Sequence, residues 1–251
     1  MDSSVNLPVH SEEDHTIQSD IELILLALNS AETKIRSEMN FLKYYQSVLE
    51  NDDKIELNCL RNNGGLFKLI LSVYATYEFA VKRMLLDTLE FIDKKRISIH
   101  NLQVKIRALY FKEGIDDIRK KITNNQQNSK EHISSKLVKI FNHLTEADNF
   151  EVRENMIDTN SNLKFDTFCE ILSYFDFDKG KYTKYEKYIK SLVHYRNNVA
   201  HGNIGFIDRL PQNIMPINDG NYEIVCENII DVLKDLFQDI QDYLIEEKYK
   251  I

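Results

Sequence analysis

The sequence predicts an all-α protein. Helix breakers are scarce, because the 251 residues include only seven glycines and three prolines. Apolar residues recur every three to four positions over long stretches, and turn residues form no regular clusters. We expect an acidic, disordered tail over residues 1–15, followed by a single helical domain over residues 16–251.

The first two helices are predicted to be long. One extends from about Ser19 to Leu49, with Ser19 or Asp20 as its cap, and ends where Asn51-Asp52-Asp53 interrupts the apolar pattern. The second is expected to begin after Gly64-Gly65, to carry a wide apolar stripe and to end near Lys94-Lys95-Arg96, since basic residues suit a helix C-terminus.

The middle of the chain has a weaker pattern. We expect two or three shorter helices between Ser98 and Asn142, separated by a polar loop at residues 124–130. Another helix is predicted to start at Asn160-Ser161-Asn162, and residues 176–180 are typical of a turn.

The last third contains two predicted helices. The first starts near Tyr182 and extends through a polar stretch at its end, residues 194–202. Residues 204–222 hold Pro211, Pro216 and Gly220, which indicates a loop or short hairpin. An amphipathic helix is predicted from about Glu223 to Glu247.

Charge and cysteine content exclude several classes of protein. The net charge of −8 argues against bulk, non-specific nucleic-acid binding, although it leaves room for a local basic groove. Cys59, Cys169 and Cys226 are far apart and odd in number, so we expect free thiols in a reducing cytosol and neither disulfides nor a metal cofactor. No signal peptide is recognisable, and the apolar run Ile21–Leu28 is too short to span a membrane.

The stretch from His194 to Gly202 is the densest cluster of chemically useful side chains. Asn197 and His201 are four residues apart and lie on nearly the same helix face, so the amide can orient the imidazole. Arg196 and His201 are five apart, about 140° around and roughly 7.5 Å along a straight helix. The pair therefore does not simply converge, unless Arg196 reaches around, the helix ends at His201, or a second subunit contributes.

These residue types suit one chemistry and also permit a purely structural explanation. Arginine binds phosphate through two parallel hydrogen bonds, and histidine exchanges a proton near neutral pH, so together they suit attack of an RNA 2′-hydroxyl on its own phosphate without a metal. Alternatively, His201 complements the helix C-terminus, Gly202 caps the helix and Arg196 is a surface charge.

Two further groups of charges leave alternatives open. Glu78 and Lys82 share a helix face, either as an exposed stabilising pair or at the edge of a site. Basic residues also recur every third position before Arg196, as a solvated face or a phosphate track: Lys181, Lys184, Lys187 and Lys190.

The stretch from Arg196 to Gly202 resembles the R-x4–6-H signature of the HEPN superfamily, with a polar residue directly after the arginine. Other segments are similar to the larger, MAE-like HEPN proteins of bacterial defence loci: the aromatic-Glu-x-x-x-Lys helix in Ser72–Lys82, then Ser161-Asn162-Leu163, and then Leu192-Val193. The resemblance spans roughly residues 60–250.

The resemblance implies a helical bundle with additional helices, usually dimeric, in which two Arg/His motifs face a shared cleft. It implies metal-independent endoribonuclease activity in a toxin or antiviral defence system, with RNA as substrate and an antitoxin or defence protein as a possible partner. Arg196 would bind the phosphate, His201 would be the general acid/base and Asn197 would orient them. Weaker substrate-binding candidates are Glu78, Lys82, Lys190 and Asn198.

The sequence departs from one HEPN pattern and leaves one alternative function open. In HEPN toxins controlled by adenylylation, a tyrosine often follows two residues after the histidine, whereas this sequence has Asn203 there. Control by modification at that position is therefore not expected. The alternative to an RNase is a non-catalytic HEPN module that binds a nucleotide, RNA or a partner protein.

Overall fold

The computed structural model describes residues 12–50, 55–123, 134–138, 140–142, 149–202, 214–218 and 220–251. Within those ranges the chain is helical and contains no strand, only two isolated β-bridges, Ser98–Asn149 and Leu102–Lys250. The all-α prediction is therefore confirmed. Of the predicted tail, residues 1–11 lie outside the described ranges, and Glu12–His15 lie in the first helix. The division into a tail and a single domain stays a prediction.

The helices are named in chain order. They are α1 (Glu12–Glu50), α2 (Ile55–Lys94), α3 (Val104–Thr123), α4 (Phe165–Tyr174), α5 (Lys179–Tyr182), α6 (Glu186–Ala200) and α7 (Tyr222–Ile245). Short 3-10 turns precede α3 at Ile99–Asn101 and α6 at Thr183–Tyr185. Residues 134–138 and 140–142 are also helical. The predicted 124–130 loop, the Asn51–Asp53 break and most of the 204–222 connection lie outside the described residues.

Helices α1 and α2 form a long antiparallel pair. Lys94 of α2 reaches Asp20 near the start of α1, with 2.5 Å between Nζ and Oδ1. Near the other end Lys68 pairs with Glu38, with 3.4 Å between Nζ and Oε2. The two contacts run in opposite sequence directions, which fixes the antiparallel arrangement.

The predicted start of α2 is wrong, because the helix begins at Ile55 and passes through Gly64 and Gly65. A Cβ added to Gly65 would lie 2.9 Å from Leu42 Cδ1 and 3.2 Å from Tyr45 Cδ1. Gly65 therefore serves close packing of α1 on α2, not a turn.

Helix α7 lies against α1, α2 and α6 and supplies a large share of the core. Its buried positions keep helical spacing, as at Ile229, Leu233, Leu236 and Ile240. The Arg36 guanidinium of α1 binds both carboxylate oxygens of Glu227 at 2.6 and 3.0 Å. This two-pronged pair fixes the register of α1 against α7.

Helix α6 is held in the bundle by a segment that follows it in sequence. Ser191 is fully buried, and its hydroxyl accepts a hydrogen bond from the backbone N–H of Met215 at 2.9 Å. The same hydroxyl donates to the carbonyl of Lys187 at 2.7 Å. Residues 214–218 are thereby tied to the buried side of α6, while its polar side stays available to solvent.

Two of the three cysteines have described side chains. Cys169 is half-buried and Cys226 is buried, both are free thiols, and burial raises the pKa of Cys226 to about 12; the side chain of Cys59 lies outside the described set. None of the described helices combines the length and apolar character needed to cross a membrane.

Candidate functional site

The C-terminal end of α6 is set by a glycine. His201 has φ −93° and ψ 4°, and its backbone N–H donates to the carbonyl of Asn197 at 3.1 Å. Gly202 follows with φ +69° and donates its N–H to the carbonyl of Val199 at 3.1 Å. This is the C′ position of a helix cap, where glycine avoids the strain that a side chain would bring. The capping role considered for Gly202 is therefore observed.

Arg196 is not a freely solvated surface charge. Its guanidinium carbon lies 4.7 Å from the centroid of the Tyr74 ring in α2. Its Nη1 donates to Asn197 Oδ1 at 2.9 Å, and its Nη2 approaches the carbonyl of Ser161 at 3.5 Å. A guanidinium carries five N–H donors, so three of them have no hydrogen-bond partner among the described residues and can bind a ligand.

Tyr74 connects Arg196 to the chain ahead of α4. Its ring is buried, and its hydroxyl accepts a hydrogen bond from the backbone N–H of Leu163 at 2.7 Å. Burial raises the pKa of Tyr74 to about 12, and the negative charge of Glu78 adds to the shift, while the Leu163 N–H and Arg196 oppose it. The hydroxyl is therefore protonated at neutral pH and remains a donor as well as an acceptor.

Glu78 lies one helical turn after Tyr74, and its Oε1 is buried without a hydrogen-bond partner among the described residues. The same holds for Oδ1 of Asn162. Buried oxygen atoms without a donor are uncommon in native proteins, and each has a cause such as strain, a catalytic role or a bound water or ion. The two acceptors lie on the segments that contact Arg196, α2 and the turn before α4, and both can accept a hydrogen bond from a water or a ligand.

The turn before α4 adopts a strained backbone. Asn160 and Ser161 both have φ 54°, and the N–H of Asn162 donates to the carbonyl of Thr159 at 3.1 Å, as in a type I′ turn. Asp158 Oδ1 accepts the N–H of Asn160 at 2.7 Å. Asparagine tolerates this conformation, but serine does not favour it, at a cost of roughly 1–3 kcal/mol. The turn aims the Ser161 carbonyl at Arg196 and the Leu163 N–H at Tyr74.

Three segments singled out in the sequence thus meet at one place. They are the Ser72–Lys82 part of α2, the Ser161-Asn162-Leu163 turn and the Arg196-Asn197 end of α6. The sequence did not identify Tyr74 as the residue on which Arg196 rests. The sequence pattern that could have identified Tyr74 is its spacing: it lies four residues before Glu78 and so shares the same helix face.

His201 occupies the exposed end of α6, and its side chain has no hydrogen-bond or ion-pair partner among the described residues. Arg196 instead turns toward Tyr74 and Ser161. A single chain therefore does not bring the Arg196 and His201 side chains into contact, as the helical spacing predicts.

His194 is a second histidine on the same face as His201, because seven residues make nearly two full turns. Nδ2 of Asn198 lies 2.9 Å from His194 Nε2 and donates to the His194 carbonyl at 3.0 Å. Since a carbonyl only accepts, the amide nitrogen faces both groups, and Nε2 is an acceptor. Burial lowers the pKa of His194, in keeping with a neutral ring. Sequence analysis missed His194, although the seven-residue spacing was visible.

The lysines before Arg196 are largely neutralised. Lys181 pairs with Asp239 at 2.6 Å, Lys184 with Asp235 at 3.0 Å, and Lys190 with Glu186 on its own helix. Three of the four positions thus bind carboxylates of α6 or α7. This pattern favours a structural role for the lysine series over a phosphate track. It also directs the Lys190 side chain to Glu186 and not toward Arg196.

A cavity of about 480 Å³ adjoins the site on the side of α3, within the size range of small-molecule sites. Lys82 lines this cavity, whereas Glu78 lies close to Tyr74, on which Arg196 rests. The two residues of the predicted Glu78–Lys82 pair therefore face different places.

One of the three comparisons with known proteins gave a match. The family model that is described as RiboL-PSP-HEPN matches residues 30–246, which include all three converging segments. Comparison with curated proteins and comparison with solved structures each gave no match. The HEPN superfamily prediction is confirmed by this match. The chain therefore belongs to the RiboL-PSP-HEPN family of HEPN domains.

Proposed function

We propose that the protein is a metal-independent endoribonuclease of a toxin or antiviral defence system. HEPN membership favours a nuclease or nucleotide-binding module. The observation that carries the endoribonuclease proposal is the set of contacts that hold Arg196. Tyr74, Asn197 and Ser161 fix the guanidinium while leaving donors for a phosphate.

The reaction is attack of a ribose 2′-oxygen on the adjacent phosphorus. A bond forms between O2′ and phosphorus, and the bond from phosphorus to O5′ breaks. A base takes the 2′-hydroxyl proton, and an acid gives a proton to the leaving O5′. The products carry a 2′,3′-cyclic phosphate and a 5′-hydroxyl. Arg196 stabilises the charge on the phosphate oxygens, and His201 transfers protons.

The proposal includes a two-fold homodimer. Within one chain His201 lies around the helix from Arg196, and only one histidine of the motif is present. A second copy related by a two-fold axis brings its own Arg196 and His201 to a shared cleft, which supplies one acid and one base. Asn197 orients Arg196, and Glu78 and Asn198 contribute to the surface around the phosphate.

The alternative is a non-catalytic module that binds a nucleotide, RNA or a partner protein. The exposure of His201 and its separation from Arg196 favour it if the chain acts as a monomer. Purified protein is incubated with total RNA and tRNA in EDTA, and the wild type is compared with His201→Ala. Cleavage by the wild type alone, leaving cyclic phosphate ends, supports the nuclease. Equal RNA patterns for the two proteins, or a strict need for magnesium, support the alternative.

A further inference from the structure

The cavity beside the Arg196 site has no role in the proposed cleavage. It is bounded by α2, by α3 and by the chain between residues 153 and 161. Its lining is mostly polar and charged, and it includes Lys82, Tyr110, Lys112, Asp116, Arg153, Asp158, Thr159 and Ser161. A cavity of this kind suits a ligand that carries both charge and hydrogen-bonding groups.

The cavity is continuous with the Arg196 site through two elements. Ser161 lines the cavity, and its carbonyl faces Arg196 Nη2. On α2, Tyr74, Glu78 and Lys82 follow one another at four-residue intervals along one face, so Lys82 lies about 12 Å along the axis from Tyr74. A chain of nucleotides with one phosphate at Arg196 therefore reaches the cavity with its neighbouring units.

The charges in the cavity differ from those of the lysine series on α5 and α6. Lys82 and Lys112 form no ion pair with another described residue, whereas Lys181, Lys184 and Lys190 each bind a carboxylate. Lysines that no described carboxylate neutralises are more available to bind phosphate, which favours this cavity over the lysine series as a phosphate site.

The remaining lining groups match the other parts of a nucleotide. The Arg153 guanidinium lies 4.9 Å from the centroid of the Tyr110 ring and donates to the Tyr110 carbonyl, which fixes its plane. Guanidinium planes and aromatic rings are surfaces on which unpaired bases stack. Asp116 and Asp158 repel phosphate, but they accept hydrogen bonds from base amino groups, as Thr159 also can.

We infer that this cavity binds the nucleotide next to the cleaved phosphate of single-stranded RNA, with Lys82 and Lys112 on its phosphate and the Arg153–Tyr110 stack under its base. The inference rests on the proposed function, because it places the RNA strand across Arg196. It makes the cavity a determinant of sequence preference, through the acceptors of Asp116 and Asp158.

The test measures binding without cleavage. A fluorescent single-stranded oligonucleotide with 2′-O-methyl groups cannot undergo 2′-hydroxyl attack, so its anisotropy reports affinity alone. Lys82→Gln/Lys112→Gln is compared with Lys179→Gln/Lys187→Gln, which removes the same charge from exposed lysines that do not line the cavity. Loss of the cavity lysines should weaken binding roughly tenfold per residue. It should also lower the slope of log K against log salt by about 0.7 per lost phosphate contact.

The outcomes separate the two proposals. Equal affinities and salt slopes for the two double variants, or no binding by the wild type at low salt, overturn the cavity assignment. Cleavage is measured separately on ordinary RNA in EDTA. If the wild type fails to cleave while the cavity variant still binds more weakly than its control, only the proposed reaction is lost. If the wild type cleaves and the two double variants match it in binding and cleavage pattern, only the cavity assignment is lost.

Discussion

The guanidinium of Arg196 rests on the ring of Tyr74, with 4.7 Å between the guanidinium carbon and the ring centroid. The hydroxyl of the same tyrosine accepts the backbone N–H of Leu163 at 2.7 Å. One buried side chain on α2 thus fixes both the arginine at the end of α6 and the turn ahead of α4. The two functions of Tyr74 are chemically separable, because one uses the ring and the other uses the hydroxyl.

Tyr74→Phe keeps the ring under Arg196 and removes the hydroxyl, which accepts from Leu163 and also interacts with Glu78. The Leu163 N–H then has no hydrogen-bond acceptor, which should lower the free energy of unfolding by about 1–3 kcal/mol. RNA cleavage by the folded variant should persist, whereas Tyr74→Leu should lose it because Arg196 then has no ring to rest on. Urea denaturation and RNA cleavage are measured on both. Tyr188→Phe, at a half-buried tyrosine on α6, is the control. Equal cleavage by the Leu and Phe variants contradicts the role assigned to the ring.

His201→Ala should leave the melting temperature within a few degrees of the wild type, because the side chain is exposed and without a described partner. Loss of a general acid/base should slow RNA cleavage about 100- to 10,000-fold. His100→Ala, at a half-buried histidine on the 3-10 turn before α3, is the control and should cleave normally. A stable His201→Ala protein that still cleaves RNA at the wild-type rate excludes His201 as the catalytic group.

Arg196→Lys should also lose cleavage, although the charge is retained. Lysine offers a point charge and cannot hold a phosphate through two parallel hydrogen bonds while lying flat on Tyr74. The comparison variant is Arg119→Lys, at an exposed position on α3. Single-turnover cleavage rates measure the effect. A near-normal rate for Arg196→Lys indicates that only the charge matters.

Replacing Gly202 or Gly64 by alanine should change the free energy of unfolding in opposite directions. Neither added Cβ meets an atom within 4 Å, so backbone conformation alone decides. At Gly202, with φ +69°, alanine should lower the free energy of unfolding by about 1–2 kcal/mol. At Gly64, inside α2, alanine should raise it by about 0.5–1 kcal/mol. Urea denaturation of both variants checks the pair, and a neutral Gly202→Ala contradicts the cap.

The neutral state of His194 should make stability depend on pH. Its folded pKa is lowered by burial, so the unfolded chain binds the proton more readily. The stabilising contribution is therefore complete above the ordinary value of 6.5 and decreases as the pH falls through 6.5 toward the folded pKa. In His194→Gln this part of the pH dependence should disappear. Unfolding free energies at several pH values test it, with His100→Gln as the matched variant. An unchanged pH profile in His194→Gln assigns the dependence to other groups.

The sequence predicted the helical class because scarce glycine and proline act locally. It misplaced the start of α2 because the role of Gly65 depends on Leu42 and Tyr45, which are distant in sequence. The lysine series could not be interpreted from spacing, since Asp235 and Asp239 neutralise it from another helix. The Arg196 motif was visible as a spacing, but its support by Tyr74 and by the strained Asn160-Ser161 turn depends on tertiary contacts.

The hydrogen bond from Leu163 to Tyr74 gives the site an internal reporter. The Leu163 amide proton exchanges with solvent only when the turn separates from α2, so its exchange rate measures how often that separation occurs. A ligand that binds only the intact site lowers the population of the open form by a factor that grows with the ratio of its concentration to its dissociation constant. Slower deuterium uptake at Leu163 thus follows occupancy of the Arg196 surface, in proteins that cleave RNA and in variants that do not.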